Sequence, residues 1–261
     1  MVSVSQLKPV LRRVPGLAST YRLAKFLSRS AYMRWWMDGQ ERADHAYRLG
    51  LWKYDLPRVL ERYRFVLNAV RNRLGTETWG DALEMGCAEG AFTVELAQRC
   101  RSVTACDISP VACARAAERC APHPHVRVQQ LDVIRDSVAG KYDLVFLMEV
   151  LEGIRGRRQI QEVVGKMAGT LRSGGLLVFC DYRLPPAIRS DWWSRWFLEG
   201  GDNLAAFIGN RFGLRLVHQE IYAGGQGIPE YTGHVIALFE KGPKPGDESG
   251  CQRVREKSAS L

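Results

Sequence analysis

Ala82-Leu83-Glu84-Met85-Gly86-Cys87-Ala88-Glu89-Gly90-Ala91-Phe92 is the stretch whose reading decides the fold. Ala82 to Met85 predicts a buried strand, and a helix is expected to begin at Ala91. Between them the turn reads Gly86-x-Ala88-x-Gly90. Two of its positions lack a Cβ and the third carries a methyl, so backbone can approach a ligand closely and visit conformations that a side chain forbids. The helix start aims free N–H groups at whatever occupies the turn. By itself such a turn can also serve merely to pack a strand on a helix, so its context has to decide.

The next segment supplies that context. A helix Ala91–Cys100 leads into Ser102-Val103-Thr104-Ala105-Cys106-Asp107-Ile108-Ser109-Pro110, a second short apolar run that ends in an acid. Asp107 follows the glycines by about 20 residues, the spacing at which a strand-end carboxylate in a βαβ unit reaches ribose hydroxyls. Ser109 and Pro110 suit the N-cap and first position of the helix that follows, through Cys120. A nicotinamide-binding unit would prefer G-x-G-x-x-G and a longer, more apolar helix.

The E-x-G-x-x-x-G pattern of Glu84 through Gly90, followed by Asp107-Ile108-Ser109-Pro110, resembles the class I S-adenosylmethionine-dependent methyltransferases, and within them the NodS-like N-methyltransferases. The resemblance covers about Trp52 to Lys241. It implies a Rossmann-like α/β fold: a seven-stranded, mostly parallel sheet with an antiparallel last strand and helices on both faces. It implies S-adenosylmethionine as cofactor, S-adenosylhomocysteine as product, and cofactor contacts from Glu84, Gly86, Cys87, Ala88, Gly90, Asp107 and Ile108. It also implies that Asp132 accepts from the adenine amino group, that Val133 borders the ring, and that the segment from Met148 and Glu149 onward lines the cofactor and faces the acceptor. The commoner form has a histidine where this chain has Gly153, so no imidazole base stands there. Glu61-Arg62-Tyr63-Arg64-Phe65 is similar to a helix segment of that family, and Arg64 is the candidate partner of the methionyl carboxylate, since a guanidinium matches a carboxylate bidentately. A plain surface arginine is the alternative for Arg64, and a loop-capping acid the alternative for Asp132.

Bulk properties narrow the class. The chain has 261 residues, a size that suits one large α/β domain with extensions. Its formal charge is +9, and residues 1–37 hold Lys8, Arg12, Arg13, Arg22, Lys25, Arg29 and Arg34 with no acid. The remainder is therefore nearly neutral, which argues against a nucleic-acid surface in the catalytic body. Seven cysteines form no C-x-x-C pair and read as reduced thiols of a cytoplasmic protein. The five histidines lack metal-site spacing, so no metal is expected. No apolar run is long enough to span a membrane, and the start of the chain lacks a signal peptide's apolar core.

In order, residues 1–50 read as a basic helical extension or lid. Leu17 to Ala31 has an amphipathic pattern: Arg22, Lys25 and Arg29 lie on one face, and Leu17, Leu23, Ala24 and Leu27 opposite. Such a segment could lie peripherally on a membrane or pack on the enzyme. Residues 51–241 read as the methyltransferase domain. Leu60, Tyr63, Leu67, Val70 and Leu74 predict a helix after Pro57 that ends at Gly75. Strands are expected at Val126–Gln130, Tyr142–Met148, Leu176–Cys180, Leu214–Tyr222 and His234–Glu240, with a helix at Gln159–Leu171. Residues 181–213, rich in aromatics (Trp192, Trp193, Trp196, Phe197, Phe207, Phe212), look inserted on the acceptor side. Those rings are expected mostly as core. Residues 242–261 read as a disordered tail.

The function expected is methyl transfer to an N or O atom of a small-molecule or saccharide acceptor. The alternatives are RNA methylation and non-catalytic cofactor binding at a membrane. Positioning of two reactants carries most of such chemistry. Glu149, Glu152, Tyr182 and His218 are candidates to assist proton removal. Glu149 leads, because ligands bind at the C-terminal edge of an open parallel sheet.

Overall fold

The computed structural model describes residues 16–24, 39–51, 53–154, 156–184, 186–190, 200–209, 211–224 and 233–243. Residues 17–24 are helical. Two helices, α1 (Gly39–Arg48) and α2 (Pro57–Leu74), precede the sheet. Then β1 (Trp79–Met85), α3 (Ala91–Ala97), β2 (Cys100–Asp107), α4 (Pro110–Cys120) and β3 (Val126–Gln130) alternate. The second half is β4 (Tyr142–Met148), α5 (Arg157–Thr170), β5 (Leu171–Tyr182), α6 (Gly201–Ile208), β6 (Leu214–Tyr222) and β7 (His234–Lys241). The sheet order is β3-β2-β1-β4-β5-β7-β6. All pairings are parallel except those of β7, which runs antiparallel to both β5 and β6.

Strand alternation sorts the central residues into two apolar layers. Leu83, Met85, Val145, Leu147, Leu177 and Phe179 face α5 and α6, meeting Ile160, Val164, Met167 and Leu204. Their alternates Ala82, Leu144, Phe146, Val178, Ile236 and Leu238 face α2 and α3, meeting Val66, Leu67, Phe92 and Leu96. Because both faces are covered, the strands are continuously apolar rather than alternating.

Helix ends follow local chemistry. Pro57 opens α2, and Gly75 closes it at φ +69°. The Ser109 hydroxyl caps α4 by accepting from Ala112 N at 3.2 Å. Element boundaries and one helix face differ from the sequence reading. Helix α3 stops at Ala97, not Cys100, because Cys100 is already in register with Trp79 of β1. Strand β5 begins at Leu171, where the reading placed the end of the preceding helix, and a register irregularity separates its pairing at Tyr142 from that at Leu144. In the helical residues 17–24, Leu17 is 45% exposed while Ser19 is buried, so the expected apolar side is not the buried one over these residues. The rest of the basic arm lies outside the described residues, as do Trp192, Trp193, Trp196 and Phe197 and nearly all of the expected tail. Phe207 and Phe212 pack against the apolar layer under α5.

Candidate functional site

A cavity of about 720 Å³ opens at the C-terminal ends of β1, β2 and β4, with α1 and the start of α2 contributing its other walls. It is built where the parallel strand order reverses between β1 and β4, the crevice in which open α/β sheets hold ligands.

The floor is the turn after β1. Gly86 and Cys87 donate their N–H groups to the Cys106 carbonyl at 2.7 and 2.9 Å. Gly86, Ala88 and Gly90 all have positive φ, +77°, +50° and +79°. Glycine adopts this conformation freely, whereas Ala88 holds it at a cost of roughly 1–2 kcal/mol. A Cβ on Gly86 would come 2.5 Å from the Val150 side chain, so Val150 leaves room only for glycine here. Gly90 does not line the cavity; it sits behind the turn, where a Cβ would meet the Ala116 backbone at 3.0 Å. Its service is to seat α3 against α4.

Asp107 fastens this turn. One carboxylate oxygen accepts from Ala88 N at 2.9 Å and from the Tyr47 hydroxyl at 3.4 Å, and the other from Ser109 N at 3.0 Å. Burial pushes its carboxyl up, against the pull of those backbone donors. Helix α1 is held over the site by more than Tyr47. Asp44 accepts from the Ser109 hydroxyl, and Arg115 of α4 donates to the Tyr47 carbonyl. Arg42 donates to the Gly153 carbonyl at 3.2 Å.

Glu84 lies at 2% exposure with its carboxylate accepting from Thr93 Oγ1 at 2.6 Å. Burial pushes its carboxyl up to about 7. Asp132 lines the cavity, but its Oδ1 caps the following turn, accepting from Ile134 N at 2.9 Å and Arg135 N at 3.3 Å. Cys87, Ile108, Val133 and Met148 also line it.

Glu149 follows β4 with φ +56°, a left-handed conformation pinned by its N–H to the Cys180 carbonyl at 2.7 Å. This geometry turns the side chain toward α2 and β7. Its Oε2 accepts from Arg62 at 2.8 Å, and its Oε1 stands 2.5 Å from His234 Nε2. Arg62 Nη1 is itself 2.7 Å from His234 Nε2. Although burial disfavours its charged form, His234 and Arg62 hold the Glu149 carboxyl below its ordinary range. Burial pushes the His234 ring down as well.

The structure corrects the expectation for Arg64. Two residues advance a helix by about 200°, so Arg64 is exposed on the far side of α2 while Arg62 is buried on the cavity side. The signal was present: Arg62 falls within the apolar stripe of Val59, Tyr63, Val66 and Val70. His218 is also misplaced as a candidate base, since it pairs with Glu220 at 3.2 Å on the edge strand β6 and does not line the cavity. Tyr182 does line it. The side chain of Glu152 lies outside the described residues. Tyr47 and His234 were not singled out from the sequence, because nothing local marks a residue that meets its partners only through the fold. Among the described residues no cluster of acids, histidines and cysteines could hold a metal ion.

This sheet, with its reversed β7 and its glycine turn facing an acid at the end of β2, is the fold of the class I S-adenosylmethionine-dependent methyltransferases. Within that class the chain belongs to the family described as Nodulation protein S (NodS), whose model matches residues 44–224. It is 35% identical over 99 residues to Nodulation protein S of Sinorhizobium fredii (strain NBRC 101917 / NGR234), covering 38% of this chain and 46% of that protein. To Nodulation protein S of Rhizobium tropici it is 36% identical over 99 residues, covering 38% and 42%. The chain thus spans about half the length of the curated relatives it matches. It is also similar to the crystal structure of N-methyltransferase NodS from Bradyrhizobium japonicum WM9 in complex with S-adenosyl-L-homocysteine. The TM-score is 0.60 and the identity 27%, over 83% of this chain and 97% of that one.

Proposed function

We propose that this protein transfers a methyl group from S-adenosylmethionine to an amine nitrogen of a saccharide-type acceptor. The observation that carries the reading is the linked pair of Asp107 and the Gly86–Gly90 turn on the floor of the cavity. The relative solved with S-adenosyl-L-homocysteine supports it and suggests nitrogen as the acceptor atom.

The residues present fit such a cofactor. The cavity lining carries bare backbone at Gly86 and, beside it, a buried acid, Glu84, placed for an ammonium. Arg62, Arg58 and Lys53 supply the cations for a carboxylate. Asp107, with about four lone-pair sites and three donors already in place, has room for one further donor while Tyr47 stays bound. Ile108 and Val133 offer apolar contact for a base ring, and the Asp132 oxygen outside the capping bonds, Oδ2, lies 3.6 Å from Arg135 Nε, a loose pair that leaves it lone pairs to accept with. When bound, the cofactor supplies an electrophilic methyl whose bonding pair stays with the departing sulfur. The protein's own contribution is to align the two reactants, exclude water with α1, and accept a proton from the nitrogen at Glu149.

Residues 181–213 are proposed to contribute acceptor recognition, with Tyr182 already on the cavity wall. The cytoplasmic location read from the thiols belongs to the same proposal, as does peripheral membrane contact through residues 1–37, whose charge is unbroken by any acid. Incubating the protein with S-adenosylmethionine and oligosaccharides with and without a free amino group tests the central claim. S-adenosylhomocysteine formed only with the amino form is the expected result. None formed with either, together with no heat of cofactor binding, would refute it.

A further inference from the structure

Arg62, Glu149 and His234 meet from three elements, and their contacts cannot all be satisfied in one protonation state. A guanidinium can only donate, so Arg62 Nη1 at 2.7 Å from Nε2 requires a ring lone pair there. The 2.5 Å contact between that same Nε2 and Glu149 Oε1 requires a proton between them. The geometry is therefore compatible with two arrangements. In one the ring is neutral and Nε2 accepts from Arg62. In the other a proton sits on the Nε2–Oε1 axis and Arg62 keeps its bond to Glu149 Oε2 at 2.8 Å.

Exposure gives the trio a direction. Both residues line the cavity, but the Glu149 side chain is 31% exposed and His234 only 3%, so the carboxylate is the member of the pair open to solvent. Other titratable groups nearby are phenols. Tyr182 on β5 and Tyr222 on β6 flank His234 in register, while Tyr54 and Tyr63 lie near Glu149. Burial pushes the Tyr54 and Tyr63 phenols up. The fixed charge of Arg62 resists a second positive charge on the ring, and Glu149 offsets it.

We infer that His234 is a positioning residue for proton removal, forming with Glu149 a single proton-accepting pair that deprotonates the acceptor ammonium before methyl transfer. This rests on the methyltransferase reading above. The N–H bond of the ammonium breaks and its electron pair stays on nitrogen as the nucleophilic lone pair. The proton passes to Glu149 Oε1 and is held between it and His234 Nε2. After the product leaves, it returns to solvent through the exposed side of Glu149. The pair thus restores to this site an imidazole that the Glu149–Ile154 segment itself lacks.

Two measurements test it. In ¹⁵N spectra of the protein without substrate, His234 Nε2 is expected to be unprotonated at neutral pH and to gain a proton on acidification. Glu149→Gln, which removes the anion, is expected to move that titration to lower pH. In turnover with an amino-sugar oligosaccharide, His234→Gln is expected to lower kcat about 10-fold or more and to shift the acid limb of its pH profile, with the KM for S-adenosylmethionine unchanged. A ring titration identical in Glu149→Gln, or a His234→Gln profile superimposable on wild type, would overturn the pair. Should His234→Gln not fold, the ring titration in wild type and Glu149→Gln decides alone. Absence of turnover and of cofactor binding in wild type would instead defeat the function reading, and the spectra would still show whether the pair shares a proton.

Discussion

Tyr47 of α1 donates its hydroxyl to the carboxylate of Asp107 at the end of β2, across 3.4 Å. A helix outside the α/β core is thereby bonded to the acid that also orders the turn after β1. The phenol stays a donor at any working pH, because burial and the neighbouring carboxylate both push its ionisation up.

Tyr47→Phe is expected to cost about 0.5–1.5 kcal/mol of stability and to change cofactor affinity little, because Asp107 keeps both backbone donors. Asp107→Ala leaves Ala88 N and Ser109 N buried without an acceptor, at about 1–3 kcal/mol each, and should abolish cofactor binding. Urea denaturation and titration calorimetry of the two variants give both numbers.

Ala88 is where the turn stores strain, as its one non-glycine residue at positive φ. Ala88→Gly relieves a left-handed alanine, worth roughly 1–2 kcal/mol. It also removes a buried methyl that packs with Ala43, Tyr47 and Ala112, worth about 0.8 kcal/mol. The two nearly cancel, so a thermal melt should move little. Ala88→Val, β-branched at φ +50°, should lower the melting temperature sharply.

Much of this was legible in the sequence for a physical reason. Strands buried on both faces must be continuously apolar, so Tyr142–Met148 announced itself as central, and Gly86, Gly90, Ser109 and Gly75 mark turns and caps that few residues can make. Helix ends were less legible: Cys100 is apolar in either state, and only its pairing with Trp79 makes it strand. The cavity lining was legible where chemistry is local, as at Glu84, Asp107 and Glu149. Nothing in the run around His234 shows that β7, antiparallel to β5, would deliver that ring to Glu149 across 85 residues of chain. Arg62 and Arg64 are equivalent in composition and differ only in helical phase.

That phase yields a paired comparison. Arg62→Ala strips the cation from a partly buried carboxylate and a buried ring, and should destabilise by about 3 kcal/mol or more. Arg64→Ala, on the exposed face, should stay within about 0.5 kcal/mol of wild type. Equal effects in chemical denaturation would contradict the assignment of the buried face of α2.

Glu84 makes a signed prediction about pH. Its carboxyl ionises at about 7 in the folded protein against an ordinary 4.5, because burial disfavours the charge. The folded state therefore binds more protons than the unfolded state between these values, and stability must fall as pH rises through that window. A shift of this size corresponds to a contribution on the order of 3 kcal/mol, complete above about pH 7. Glu84→Gln carries no proton to lose, so its stability minus that of wild type should grow from about pH 4.5 to about pH 7 and then level off. Cofactor reverses the preference. An ammonium beside Glu84 favours the anion, so binding below neutral pH should release a proton, seen as a dependence of the binding heat on the buffer's ionisation enthalpy. The variant should lose both that proton release and much of the affinity. Thermal melts of the two proteins across this range that stay parallel would show that Glu84 ionises normally, and its place as the ammonium's partner would fall with it.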